Sequence, residues 1–283
     1  MSVAAGFAGA ALAALLMLPL AWKWQLGMRR TGFGVVGIAV LAGVAVAGVP
    51  GLSVAVSAVL GVGLVLVLSF GTLAYRFYRD PERSPPAGDG LVVSPADGEV
   101  VYVKRSRDGQ LPVASKHGAS VGLEELTHTA LHERDAVVVG IAMSFLDVHV
   151  NRAPIAGRVV LSRHFPGRFG SLKRPETVFE NERTTTLIAG SRLEIAVVQI
   201  ASRLVRQITS YVRDGQEVNL GQRIGIIRLG SQVDVVLPQR RDLCVLVGEG
   251  DRVTAGVSVI ATVGAAVVEV DPVVGEQVGT VSV

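Results

Sequence analysis

Two long stretches without a single charge, residues 3–22 and 33–74, decide most of what this chain can become. The first, VAAGFAGAALAALLMLPLAW, is long enough to cross about 30 Å of hydrocarbon as a helix. No basic residue precedes it, so it makes a poor secretory signal. The second is interrupted at Val49-Pro50-Gly51, which predicts two helices folded back on each other at a Pro-Gly turn. Lys23, Arg29 and Arg30 follow the first stretch, and Arg76, Arg79 and Arg83 follow the second. In a hairpin that enters and returns, both basic groups fall on one side, and the positive-inside rule makes that side the cytoplasm. Residues 1–76 are therefore read as a membrane anchor of two or three helices, with 33–49 the weakest span because it is short and rich in Gly, Ala and Val. A mean hydropathy of +0.48 over the whole chain agrees with lipid contact. The net charge of +3 suits an anionic membrane surface rather than nucleic acid. The single cysteine, Cys244, excludes an internal disulfide and any cysteine-based zinc cluster, and its setting, DLCVLV, predicts a small buried hydrophobe.

At Asp80 the composition changes abruptly. DPERSPPAGDG reads as a polar linker, and residues 77–283 as a cytoplasmic domain. Short apolar runs follow, VVYVKR, AVVVGIAMSF, GRVVLS, RLEIAVVQI, GIIRLG, VDVVLP, DLCVLVG and VSVIATV, separated by Gly, Pro, Asp and Asn. That pattern predicts a mainly β domain. The segments 212–227 and 247–262 share the spacing V-x-x-G-x-x-V-x-x-G-x-x-I/V, with glycines at 215, 221, 250 and 256. SPADGEVV at 94–101 and APIAGRVV at 153–160 also begin alike. The fold class expected is thus N-terminal transmembrane α-helices followed by a mainly β domain, an α+β chain whose echo is similar to the barrel-sandwich hybrid of lipoyl-like carriers. Neither repeat holds a lysine, so carrier function is not supported. A non-catalytic membrane adaptor with a lipoyl-like β domain stands as the alternative class.

Five histidines are present. His128 and His132, four apart, share a helix face at metal-pair spacing but lack a third ligand, so no metal site is predicted. His149 ends an apolar strand in MSFLDVHVNRAP, and Asp97 lies in the turn SPADGE. Each has a plain structural reading as well as a catalytic one. In RLGSQVDVVLP, residues 228–238, Val233, Val235 and Leu237 alternate with Gln232 and Asp234, the signature of a half-buried strand. The pair Gly230-Ser231 interrupts it, and glycine in such a place marks a bulge or a close backbone approach.

Taken in order, FYRDPER (77–83), SPADGEV (94–100), MSFLDVHVNRAPIAG (143–157), NERT (181–184) and RLGSQVDVVLP resemble the phosphatidylserine decarboxylase family, in its shorter Gly-Ser branch, which includes archaetidylserine decarboxylases. The resemblance implies self-cleavage between Gly230 and Ser231 into residues 1–230 and 231–283, which stay together as a heterodimer. Ser231 would attack the Gly230 carbonyl, and the resulting ester would eliminate to leave a pyruvoyl group in place of the serine. That covalent group is the implied cofactor, forming a Schiff base with the amine of phosphatidylserine and yielding phosphatidylethanolamine. Implied partners are this substrate and membrane lipid, with a higher oligomer also open; the implied location is the inner cell membrane, with the catalytic domain on its cytoplasmic side.

The implied catalytic residues are Ser231, His149 and Asp97, and the implied substrate-binding residues are Arg152, Asn181 and Arg183. Long members of the family carry two histidines three apart where this chain has His149 and Arg152. An arginine does not act as a base at neutral pH. Either His149 takes both roles, or cleavage relies on strain, Asp97 and donors such as Arg152. Residues 158–174 mix Arg158, Arg163, Arg168, Lys173 and Arg174 with Phe165 and Phe169, a composition suited either to a headgroup-dipping loop or to a solvated one.

Overall fold

A computed structural model of the chain describes residues 2–23, 28–112, 120–127, 135–167, 181–201, 207–228 and 231–264. The uncharged stretches fold as three helices, α1 (Ser2–Lys23), α2 (Met28–Ala47) and α3 (Val54–Tyr78), with the turn between α2 and α3 passing through Gly51 at a φ of 79°. Ser53 caps α3 by accepting from the Val56 amide. The bundle interior is made of small side chains, Ala10, Ala13 and Ala42, with Val65. Gly9 and Gly61 let α1 and α3 meet so closely that a Cβ at either would strike the other helix's backbone, the small-residue contact of membrane helix pairs. Large apolar side chains such as Leu15, Phe33, Leu41, Val59 and Val67 face outward instead. Among the described residues, α3 is the helix long and apolar enough to cross a membrane, while the apolar parts of the others are shorter.

Sixteen strands and one short helix complete the described chain. They are β1 (Leu91–Val93), β2 (Gly98–Arg105), β3 (Gln110–Pro112), β4 (Ser120–Gly122), α4 (Leu123–Thr127), β5 (Ala136–Met143), β6 (Val150–Arg152), β7 (Gly157–Phe165) and β8 (Arg183–Ala189), then β9 (Glu194–Ala201), β10 (Ile208–Ser210), β11 (Glu217–Val218), β12 (Arg223–Ile227), β13 (Ser231–Pro238), β14 (Leu243–Val245), β15 (Arg252–Val253) and β16 (Val259–Val263). Each apolar run named from the sequence contains a strand. β8 adds one the alternation did not suggest, because its Thr184, Thr185 and Thr186 look polar yet all three are buried.

The main sheet runs β11-β7-β8-β9-β13-β5-β2-β15, flanked by three-stranded sheets β1-β16-β14 and β10-β12-β6. Eight strands at roughly 4.8 Å spacing would set the outer edges about 34 Å apart if the sheet were flat. Yet Gly221, after β11, and Gly256, after β15, pack against each other. The sheet is therefore curled until its two edges meet.

The sequence echo accounts for that closure. Val253 pairs Gly98 as Val218 pairs Gly157. The Gly250 amide donates to the Val100 carbonyl as the Gly215 amide does to Val159, and Gly256 to Ser94 as Gly221 to Ala153. All four repeat glycines have φ between 71° and 93°, a region that other residues enter only with strain.

Inside the curl lies the larger apolar cluster, including Ile141, Ile195, Val197, Val233, Val235 and Leu237. A second cluster, with Leu126, Val138, Ala196, Val198 and Val236, covers the opposite face. Three expectations need correction here. β13 is buried on both faces rather than half-buried, because a second core covers the side that Gln232 and Asp234 occupy. Cys244 is exposed, since β14 is an edge strand that turns alternate residues outward. Asp80–Arg83 is no free linker: Asp80 pairs with Arg152 (3.2 Å) and Arg223 (2.5 Å), and Glu82 with Arg223 (2.7 Å).

Candidate active site

Ser231 is the first residue of β13, with its backbone registered between Met143 of β5 and Ala201 of β9. It is 2% exposed, and its hydroxyl donates to the Met143 sulfur at 3.2 Å. A thioether is a weak acceptor, so this contact holds the hydroxyl without activating it. The Asn151 amide reaches the same sulfur at 3.8 Å, and the Asn151 carbonyl oxygen accepts from Gln199 at 2.8 Å. Gly230 lies outside the described residues.

His149 immediately precedes β6. The Ile227 amide donates to its carbonyl at 3.2 Å, tying it to the strand that leads to Ser231. Its ring is fully buried; Nδ1 lies 2.8 Å from the Asp147 carbonyl, and Nε2 has no partner among the described residues. A carbonyl can only accept, so Nδ1 carries the proton and Nε2 keeps a free lone pair. Burial pushes the His149 pKa below its ordinary 6.5, against the opposing pull of the Asp147 carbonyl and of the carboxylates of Asp147 and Asp97. The result is a neutral base with an orphaned lone pair, an arrangement costly to leave unmet in a dry site. Phe77, in the last turn of α3, covers the ring at a centroid distance of 4.4 Å.

Asp97 comes to the same end of the sheet but takes different partners. It holds Arg83 through two contacts, at 2.5 and 2.8 Å, and accepts from the amides of Ala255 (2.8 Å) and Val148 (3.3 Å). It thus fixes the backbone just before His149 without touching the imidazole. Arg152 is buried, bonded to Asp80 and to the carbonyls of Pro81 and Gly221. Among the described residues no hydrogen bond joins the Ser231 hydroxyl, the imidazole and the Asp97 carboxylate to one another, and Arg152 turns toward Asp80.

Asn181 and Arg183 flank the start of β8. Asn181 donates to the Ala201 carbonyl (2.9 Å), and Arg183 to the carbonyls of Asn181 (3.1 Å) and Leu126 (2.7 Å). Arg183 shares the reverse face of β13 with a polar cluster that sequence reasoning missed. Tyr102 donates to Asp234 at 2.7 Å, and Gln232 donates to both. Burial raises the Asp234 carboxyl to about 6 and keeps Tyr102 well above 10.0. The alternation around Asp234 gave no signal for this, since an exposed aspartate produces the same pattern.

A cavity of about 440 Å³ opens on another flank, lined by Ser162, His164, Thr184, Ile208, Ser210, Val212, Arg213 and Asp214. It does not include Ser231, His149 or Asp97; the geometry at the start of β13 is the better guide to chemistry. His128 and His132, with residues 168–174 of the basic segment, lie outside the described residues.

A serine buried at the head of a central strand, and a buried histidine with Phe77 of α3 against its ring, are groups able to take part in acid–base and covalent chemistry. Comparison with known proteins makes the class specific. The phosphatidylserine decarboxylase family profile matches residues 70–261. A protein of Methanocaldococcus jannaschii, named as a candidate archaetidylserine decarboxylase proenzyme, is 39% identical over 199 residues, 70% of this chain and 93% of that one. The phosphatidylserine decarboxylase proenzyme of Pelobacter propionicus is 39% identical over 189 residues (66% and 76%), and that of Azorhizobium caulinodans 36% over 221 (75% and 87%). The chain belongs to the phosphatidylserine decarboxylase family, and it is an enzyme rather than an adaptor.

Proposed function

We propose that this chain is the proenzyme of a membrane-held, pyruvoyl-dependent decarboxylase that cuts itself between Gly230 and Ser231 and converts phosphatidylserine to phosphatidylethanolamine. The reading is carried by two buried groups on linked segments: Ser231, directly after glycine, and His149, whose carbonyl accepts from Ile227 of β12 and whose Nε2 has no partner among the described residues. In the cleavage, Ser231 Oγ forms a bond to the Gly230 carbonyl carbon as the peptide C–N bond breaks, giving an ester and a free amine. Elimination of the ester and hydrolysis of the resulting dehydroalanine release ammonia and leave the pyruvoyl group. A rotation of the Ser231 side chain away from Met143 frees its hydroxyl for this attack, and His149 Nε2 takes the proton. Asp97, held by Arg83, supports His149 through the Val148 amide rather than as a relay.

The residues present fit such a group: Ser231 would supply it in place, and the orphaned His149 Nε2 offers the lone pair its chemistry needs. When formed, the group supplies an electrophilic carbonyl and a conjugated system that accepts the electron pair released with carbon dioxide. His149 Nε2 accepts a proton from the substrate ammonium and returns it to the carbon that has lost its carboxylate. Phe77, itself packed against Phe145, keeps water from the imidazole. The substrate-binding roles expected of Arg152, Asn181 and Arg183 are replaced in this reading by support of the backbone, since each donates to backbone carbonyls: Arg152 to Pro81 and Gly221, Asn181 to Ala201, and Arg183 to Asn181 and Leu126.

Helix α3 and the basic residues after it support attachment to the inner membrane with the β domain on the cytoplasmic side. The doubled glycine pattern supports a barrel-sandwich hybrid as the fold of that domain. Mass spectrometry of the purified full chain tests the function: two fragments are expected, the smaller spanning 231–283 with a pyruvoyl-blocked start. Ser231→Ala is expected to give one intact, inactive chain. A wild-type chain that turns over phosphatidylserine while remaining uncut would overturn the reading.

A further inference from the structure

We propose that Phe77 is a positioning residue for His149, so that the last turn of the membrane helix forms one wall of the catalytic site. This rests on the reading of His149 as the base. Most large aromatic side chains in the second half of α3 point away from protein: Phe70 is 47% exposed, Tyr75 75% and Tyr78 63%. Phe77 is 4% exposed. Its ring lies 4.4 Å from the His149 ring at 40°, and 5.3 Å from Phe145 at 36°. It is turned out of the lipid-facing surface and into the β domain, and the group it meets there is the imidazole whose Nε2 has no partner among the described residues.

The helix end is held in that position by charge. α3 stops at Arg79, whose backbone turns extended, and within the next four residues the chain is clamped: Asp80 by Arg152 and Arg223, Glu82 by Arg223, and Arg83 by Asp97. Asp97 also accepts the amide that precedes His149. One carboxylate therefore joins the helix exit to the histidine loop, and Phe77 closes the space between them. The charged groups facing the imidazole are Asp147 in its own loop, Asp97 from the turn before β2, and Arg79 from the helix end. Desolvation outweighs the two carboxylates at this ring, and Phe77 supplies part of that desolvation. Removing the Phe77 ring lets water reach His149, brings its pKa back toward the ordinary value and loosens the ring's orientation.

The test uses the full-length chain in detergent micelles with phosphatidylserine. Phe77→Ala is expected to lower kcat/KM about tenfold or more, within the roughly 10²–10⁴-fold that a positioned acid–base group contributes. Its acid limb is expected to move to higher pH, because the neutral imidazole that accepts the ammonium proton is lost at higher pH once its pKa rises. Diethyl pyrocarbonate is expected to modify His149, followed by mass spectrometry, several-fold faster than in the wild type, while Phe77→Tyr, which keeps the ring, restores both. Where Phe77→Ala does not fold, Phe77→Leu is read by the same two measures, since it keeps apolar volume but uncovers part of the imidazole. An unmoved acid limb with unchanged protection of His149 overturns the proposal. His149→Gln separates the two ideas: full activity there removes the base assignment itself, whereas an inactive His149→Gln beside an unmoved Phe77 variant overturns Phe77 alone.

Discussion

At the scale of single residues, burial decides the chemistry. Asp234 and His149 are both buried, and in each case desolvation pushes the pKa toward the neutral form, up for the acid and down for the base. For Asp234 the consequence is a stability effect. Its folded pKa of about 6 lies above the ordinary 3.8, so the folded chain holds a proton that the unfolded chain releases. Stability therefore falls as pH rises from about 4 to about 6, and the cost of the buried charge persists above that window. Asp234→Asn removes the titration, and its stability relative to wild type is expected to improve across this window by about 1–3 kcal/mol, read from apparent melting temperatures at pH 5 and pH 8. An equal difference at both pH values would contradict it. Little of this was legible beforehand. Ser231 and His149 stood out because a glycine before a strand and a histidine after one are local signals to which the family resemblance gave a role, while the partners that set the state of Ser231, His149 and Asp234, namely Met143, Phe77 and Tyr102, are distant in sequence.

Among elements, alternation and glycine punctuation located the longer apolar strands but not β8 or the short ones, and the four repeat glycines fall where the two edges of the sheet meet. The segment Asp80–Arg83 shows where such reading stops. Proline, glycine and charge suggest a tether, but whether a charge is solvated or clamped depends on what the fold brings opposite it, here Arg152, Arg223 and Asp97. Arg152 illustrates the cost of undoing this. Its side chain is 4% exposed against 29% for Asp80. Arg152→Leu leaves the Pro81 and Gly221 carbonyls and the Asp80 carboxylate short of a donor, for an expected loss of about 2–4 kcal/mol. In thermal unfolding that corresponds to a fall of roughly 5–15 °C. A shift of less than a degree or two would mean that the clamp is not what seats the helix.

For the whole molecule, the position of β13 has the widest consequence. It pairs along its length with β5 and over Ser231–Val236 with β9, burying its side chains on both faces. A strand so placed depends on long-range pairing, because its neighbours come from segments far apart in the chain. On the proposed cut, the peptide bond is broken at the head of this strand only after the sheet has formed around it. The order of events then runs one way. The two pieces are expected to stay together as long as the fold persists, yet once heat separates them each has lost the loop that brought it to the other. Thermal scans should show this directly: Ser231→Ala, still one chain, is expected to recover its signal on cooling to a far greater extent than the processed protein. The mature enzyme would then owe its lifetime to the height of its unfolding barrier, with no means of folding a second time.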